Sequence, residues 1–223
     1  MKGVKVVTTT SAKKSSALDG LNREKFWDPV TRLWHWVLVI AVVAGWSFGK
    51  FMSFSTIMWH FYCGYTIIGL LVFRYLWGFV GPSPIRYRAL VPTPAQFISY
   101  VRTFLRRAPS GTRGHNPLGS MSVIAILLLL TAQSGTGLFI VSDDFFESAP
   151  LAHLVPEAVN NRLTWWHKLL SKFVLGIVVL HVSAIIFYLL WKKENLIMPM
   201  ISGWKWVKPS AKPEPRSSAR ANY

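Results

Sequence analysis

Residues 163–191 read LTWWHKLLSKFVLGIVVLHVSAIIFYLLW, and the last 19 of them, Phe173–Trp191, contain no Lys, Arg, Asp or Glu. A bilayer core of about 30 Å takes roughly 20 helical residues, so this stretch reads as a membrane-spanning helix with Lys168 and Lys172 near its start. It carries two histidines, His167 and His181, 14 residues apart. At 100° per residue, 14 steps fall about 40° short of four full turns, and at 1.5 Å per residue they cover about 21 Å. The two imidazoles therefore share one face of the helix and lie in opposite leaflets. An ionisable side chain at such a depth is costly and marks function.

Three further stretches lack charged residues: Leu33–Gly49, Phe51–Phe73 and Gly114–Ser142, of 17, 23 and 29 residues. Asp28-Pro29 supplies an N-cap and a first-turn proline that begin the first helix earlier. The predicted helices run over 29–51, 55–80, 117–141 and 163–191. Only helices or closed barrels satisfy the backbone in lipid, and no stretch alternates like a barrel strand. The composition agrees, with 52% hydrophobic and 15% charged residues and 11 Trp. Soluble domains carry about 25% charged residues, and Trp gathers at the headgroup level of membranes. The expected fold class is all-α, an integral membrane four-helix bundle.

The net charge of +16 has a topological origin. Residues 1–32 hold seven bases, 81–117 six, and the segment from 192 onward seven, which places 20 of 25 on one side. The positive-inside rule makes that side, and both termini, cytoplasmic. The charge then needs no nucleic acid to explain it. The opposite side carries Asp143, Asp144, Glu147 and Glu157 against Lys50 and Arg162. Three regions follow: a disordered cytoplasmic N-terminus over 1–25, a transmembrane domain over 26–195 and a cytoplasmic tail over 196–223. Residues 93–107 (TPAQFISYVRTFLRR) read as a short amphipathic helix on the cytoplasmic face. No apolar stretch before residue 33 resembles a cleaved signal.

Four of the six histidines fall within the spans. His35 is seven residues from the cytoplasmic start of the first helix. His60 and His167 each lie about five residues into helices that begin outside. By depth, His60 matches His167 and His35 matches His181. Two pairs, one in each leaflet, are the arrangement that two stacked b-haems with bis-histidine ligation require. A lone intramembrane histidine commonly bonds a neighbouring helix instead; four at matched depths favour ligation. Zinc prefers short spacings with carboxylate or thiolate, and no acid lies inside these spans. Arg32, three residues before His35, is placed to meet a haem propionate, and so are Arg74 at the inner end of the second helix and Lys168 at the outer end of the fourth. Each base also has the simpler reading of a snorkelling side chain. Gly49 and Gly64 give room on haem-facing stripes or serve helix packing. His115, His153 and the single cysteine, Cys63, read as structural. One cysteine excludes a disulfide, an iron–sulfur cluster and covalent haem attachment.

Three stretches, WDPVTRLWHWVLVIAVVAGW (27–46), HFYCGYTIIGLLVFRYLWGFVGPSPIRY (60–87) and GHNPLGSMSVIAILLLLTAQSGTGLF (114–139), together resemble the prokaryotic cytochrome b561 family. That family includes the b-type cytochrome subunits of nickel–iron hydrogenases. The resemblance covers most of residues 25–195. It implies a four-helix core, two non-covalent b-haems, and His35, His60, His167 and His181 as their axial ligands. The implied function is electron transfer across the bacterial inner membrane. The partners would be a periplasmic c-type cytochrome or dehydrogenase and the quinone pool, ubiquinone or menaquinone. The alternative is a stand-alone oxidoreductase resembling the members that oxidise superoxide and reduce quinone. A haem-free transporter or scaffold is the reading from a different class, which an absorption spectrum separates at once.

Overall fold

A computed structural model describes residues 22–107, 116–142 and 147–207. Its elements in chain order are β1 (Asn22–Lys25), α1 (Pro29–Lys50), α2 (Ile57–Val80), α3 (Tyr87–Leu90), α4 (Pro94–Thr103), α5 (Pro117–Gly137), β2 (Val141–Ser142), β3 (Glu147–Ser148), α6 (Glu157–Leu190), α7 (Ile197–Ser202) and β4 (Trp204–Val207). Helices α1, α2, α5 and α6 are each long and apolar enough to cross a membrane.

Local chemistry sets where they begin. Asp28 caps α1, its carboxylate accepting from Thr31 N at 3.0 Å and Thr31 Oγ1 at 2.6 Å, with Pro29 in the first turn. Asn116 caps α5 in the same way, accepting from Gly119 N at 2.7 Å ahead of Pro117. Both proline positions use a ring that fits the first turn, where no amide donor is needed. In α4, Thr93 and Gln96 form a capping box.

α1 packs against α2, α5 against α6, and α2 joins the two halves through α5. Their common core contains Leu38, Ala41, Ile67, Leu71, Leu127, Leu130 and Val174. Trp34 Nε1 donates to the Leu70 carbonyl at 2.8 Å, and Tyr75 Oη lies 2.5 Å from Thr131 Oγ1, so polar contacts tie α1 to α2 and α2 to α5. Ile40, Val43, Val72, Leu128 and Leu180 lie exposed on the outside of the bundle. Such a surface suits hydrocarbon, where polar satisfaction and packing hold helices together.

Two expected boundaries move. α5 ends at Gly137 rather than 141, because the chain turns into the β2–β3 hairpin, whose register pairs Val141 with Ser148. α6 begins at Glu157, six residues before the predicted 163, with Pro156 as its N-cap. Buried Asn160 holds this added turn: its amide donates to the Phe139 carbonyl and its Oδ1 accepts from Val141 N at 3.3 Å. At 1.5 Å per residue the 34 residues of α6 reach about 51 Å, well beyond the bilayer core of roughly 30 Å.

One expectation for the N-terminal segment changes as well. Residues 22–25 read as disordered, yet β1 pairs antiparallel with β4, Glu24 opposite Lys205. Gly203 makes the turn before β4 in the left-handed region, at φ 85°, and its carbonyl accepts from Phe26 N at 2.7 Å and Trp27 N at 3.1 Å. A buried ion pair, Lys205 Nζ to Glu194 Oε1 at 3.5 Å, closes the strap. Burial holds the Lys205 and Lys192 ammonium groups below the usual lysine range, with Glu194 opposing the shift in both. The first and last described segments thus meet. Residues 1–21 and 208–223, where the remaining disorder was expected, lie outside the described residues, as do His115, Asp143 and Asp144.

Breaking a buried pair by removing one partner costs about 3–5 kcal/mol, because an uncompensated charge stays buried. Glu194→Gln is therefore expected to release the β1–β4 strap. Limited proteolysis should cut near residue 204 much faster in the variant while the helices remain protected. Equal cleavage rates would show that the pair does not hold the strap.

Candidate functional site

His60 on α2 and His167 on α6 face one another, with ring centroids 6.1 Å apart and planes at 84°. The rings lie close enough for one metal ion to take a nitrogen from each. Each ring is held from behind. His60 Nδ1 lies 2.8 Å from the Gly45 carbonyl of α1, and His167 Nδ1 lies 2.9 Å from the Gln133 carbonyl of α5. A carbonyl only accepts, so Nδ1 carries the proton in both rings and Nε2 keeps its lone pair, which in His167 accepts from the Gln133 side chain at 3.0 Å. This is how a neutral imidazole is prepared as a metal ligand.

One turn further along each supporting helix sits a glycine against which the ring rests. A Cβ at Gly49 would lie 2.9 Å from His60 Cε1, and one at Gly137 would lie 2.9 Å from His167 Cε1. The pairs Gly45/Gly49 and Gln133/Gly137 thus repeat one cradle on two helices. Around the two histidines is a cavity of about 500 Å³, lined in part by Gly64, Gln133, Ser134 and Lys168. That volume suits a cofactor-sized ligand. Nothing lies within 4 Å of a Cβ built at Gly64, in keeping with its place on the cavity wall. Gly49 cradles His60 and does not serve the stripe of His35. His167 lies ten residues beyond Glu157 rather than about five into its helix. It still meets His60, because the added residues extend α6 outward.

At the other end of the bundle, His35 on α1 has its Nδ1 buried without a partner, and His181 lies on α6. Arg74 is only 5% exposed; its Nη2 donates to the Ile85 carbonyl at 3.1 Å, while Nη1 has no partner. Arg32 donates through Nη1 to the Ile201 carbonyl, which ties α1 to α7, and its buried Nε is unpartnered. Lys168 is exposed at the rim of the outer cavity together with Lys50. Lys172 is exposed, and so is His153 in the outer connection.

Among the described residues, the buried polar atoms lacking a partner are Arg32 Nε, His35 Nδ1, Arg74 Nη1, Trp77 Nε1 and Gln133 Oε1. Buried orphans of this kind call for an explanation. Four are ring or guanidinium nitrogens in the half of the bundle that holds His35, suited to an acidic or acceptor-bearing ligand. Among the described residues no group of three or more His, Cys, Asp or Glu is placed to hold a bare metal ion. Two facing imidazoles suit an iron that brings its other ligands with it, as in a porphyrin. The residues present therefore fit haem.

Sequence reasoning missed Gly45, Gln133 and Gly137. The available signal was Gln133, an amide inside an apolar span four residues before a glycine, the same spacing as Gly45 and Gly49. Cys63 packs where α1 approaches α2, 3.2 Å from a Cβ built at Gly45.

Residues 26–203 match the prokaryotic cytochrome b561 family. Among curated proteins, a probable Ni/Fe-hydrogenase B-type cytochrome subunit of Azotobacter vinelandii is 24% identical over 79% of this chain and 86% of its own length. The probable Ni/Fe-hydrogenase 1 B-type cytochrome subunit of Escherichia coli strain K12 is 24% identical over 78% and 87%. A probable Ni/Fe-hydrogenase B-type cytochrome subunit of Cupriavidus necator is 26% identical over 79% and 84%. No solved structure matches. The family match spans the four apolar helices and His35, His60, His167 and His181, so the chain belongs to the prokaryotic cytochrome b561 family, as a multi-pass b-type cytochrome of membrane electron transfer.

Proposed function

We propose that the chain carries electrons across the bacterial inner membrane through two stacked b-haems, one between His60 and His167 and one between His35 and His181. The facing of His60 and His167 at 6.1 Å across a cavity is the observation that carries this reading. Haem supplies a one-electron change at iron. The chain orients and tunes it. The carbonyls of Gly45 and Gln133 hold the Nδ1 protons, which fixes the tautomer and strengthens Nε2 as a donor. The bare N–H groups of Arg74 and Arg32 are the partners for inner propionates, and Lys168 is the partner for an outer one. Both termini face the cytoplasm, since 20 of the 25 bases then lie inside.

The electron partners are a periplasmic c-type cytochrome or dehydrogenase on one side and the quinone pool, ubiquinone or menaquinone, on the other. The names of the relatives favour a nickel–iron hydrogenase as the dehydrogenase. Liposomes carrying the full chain, with ferricyanide inside and dithionite outside, test the transfer. Internal ferricyanide should be consumed only when the chain is present, and a His60→Leu variant should stop it. Consumption no faster than in empty liposomes would contradict transmembrane transfer.

The outer connection supplies Asp143, Asp144, Glu147 and Glu157 as a docking face for a cationic donor, because such charges chiefly steer encounter. Replacing Asp143, Asp144 and Glu147 with their amides is expected to slow haem reduction by that donor at low ionic strength, with the difference fading as salt screens it. An unchanged rate would place docking elsewhere.

A further inference from the structure

We infer that ligation at the outer site is ordered, His60 taking the iron first while Gln133 holds His167 in reserve; this rests on the bis-histidine reading above. Gln133 reaches both nitrogens of His167. Its carbonyl accepts from Nδ1 at 2.9 Å, and its side-chain nitrogen lies 3.0 Å from Nε2. With the proton on Nδ1, Nε2 is the acceptor and the carboxamide donates to it. The nitrogen that a metal needs is therefore capped by an amide. Thr136 Oγ1, 3.3 Å from Nδ1, reinforces the same tautomer while donating its own hydrogen to a backbone carbonyl of α5.

The corresponding position on α1 is Gly45. Its carbonyl holds His60 Nδ1 in the same way, but it has no side chain to reach Nε2. The two cradles are alike in backbone and differ in this one group. Gln133 is also bound loosely, since its Oε1 is buried and has no donor. Ligation by His167 breaks the N–H···Nε2 bond and transfers the Nε2 lone pair to iron. The proton stays on Nδ1, still donated to the Gln133 carbonyl, so no proton is released. His60 has no such bond to break. The freed carboxamide still lines the cavity, where its bare oxygen gains the freedom to find a partner.

The test uses the full chain, produced haem-free and held in detergent micelles, mixed with haemin in a stopped-flow spectrometer. Wild type should pass through a high-spin phase, with one histidine bound, before the low-spin spectrum forms. Gln133→Leu should shorten that phase about fivefold, the factor expected for one net hydrogen bond. The final spectrum and the rate of haem loss to apomyoglobin should not change. Gln133→Asn, one methylene too short to reach Nε2, should behave like the leucine variant, and His167→Leu should stop in the high-spin phase. An unchanged high-spin phase in both Gln133 variants overturns the inference and leaves the haem site intact. A matched change in the rates of ligation and loss overturns it too, because it marks a packing role. If His167→Leu reaches the wild-type spectrum, His167 is not a ligand and both readings fall.

Discussion

Leucine in place of His167 is expected to remove the low-spin signal of one haem and leave the other unchanged, and leucine in place of His60 is expected to give the same spectrum. The two rings face each other at 6.1 Å, so losing either deprives the same iron of a ligand. His35→Leu and His181→Leu should form a second matched pair that affects the other haem. Leucine suits the test because it removes the ligand without burying a new polar group in hydrocarbon. Redox titration of the four variants should likewise sort into two pairs. A match between His35→Leu and His167→Leu would contradict the bundle, since those rings belong to opposite ends of it.

The second large effect belongs to the cradle glycines. A Cβ at Gly49 or Gly137 comes within 2.9 Å of the neighbouring imidazole carbon, so the ring must move off the axis it shares with its partner. Gly137→Val and Gly49→Val should each cut haem affinity at the outer site by more than tenfold and turn its spectrum high-spin, with the inner haem unaffected. Nothing lies within 4 Å of a Cβ at Gly69. Gly69→Ala should therefore leave both spectra unchanged and gain roughly 0.5–1 kcal/mol of helix stability. Low-spin outer haem in Gly137→Val would show that the ring does not need this cradle.

What was legible in the sequence followed from periodicity and depth. Charge-free stretches bounded by Asp28-Pro29 and Asn116-Pro117 located the starts of α1 and α5, because caps are local chemistry. The spacing of 14 between His167 and His181, read with the positions of His35 and His60, pointed to matched depths, since helix geometry turns residue number into depth, and the fold sets His60 beside His167. The start of α6 was not legible. It depends on Asn160 reaching back to Phe139 and Val141, a contact between segments that no pattern in either reveals. The β1–β4 strap was hidden for the same reason, because its strands are four residues long and nearly the whole chain apart. Gln133 was the largest omission at the site. A polar side chain on an otherwise apolar helix acquires its meaning only when another helix places His167 beside it.

The central claim is that this bundle holds two haems between four histidines. A pyridine-haemochrome assay on the purified full chain, set against its protein concentration, measures that number directly. The expected result is two b-type haems per chain, both extracted by acid acetone, because Cys63 is the only cysteine and no paired thioether attachment can form. One haem per chain, or none, would contradict the claim.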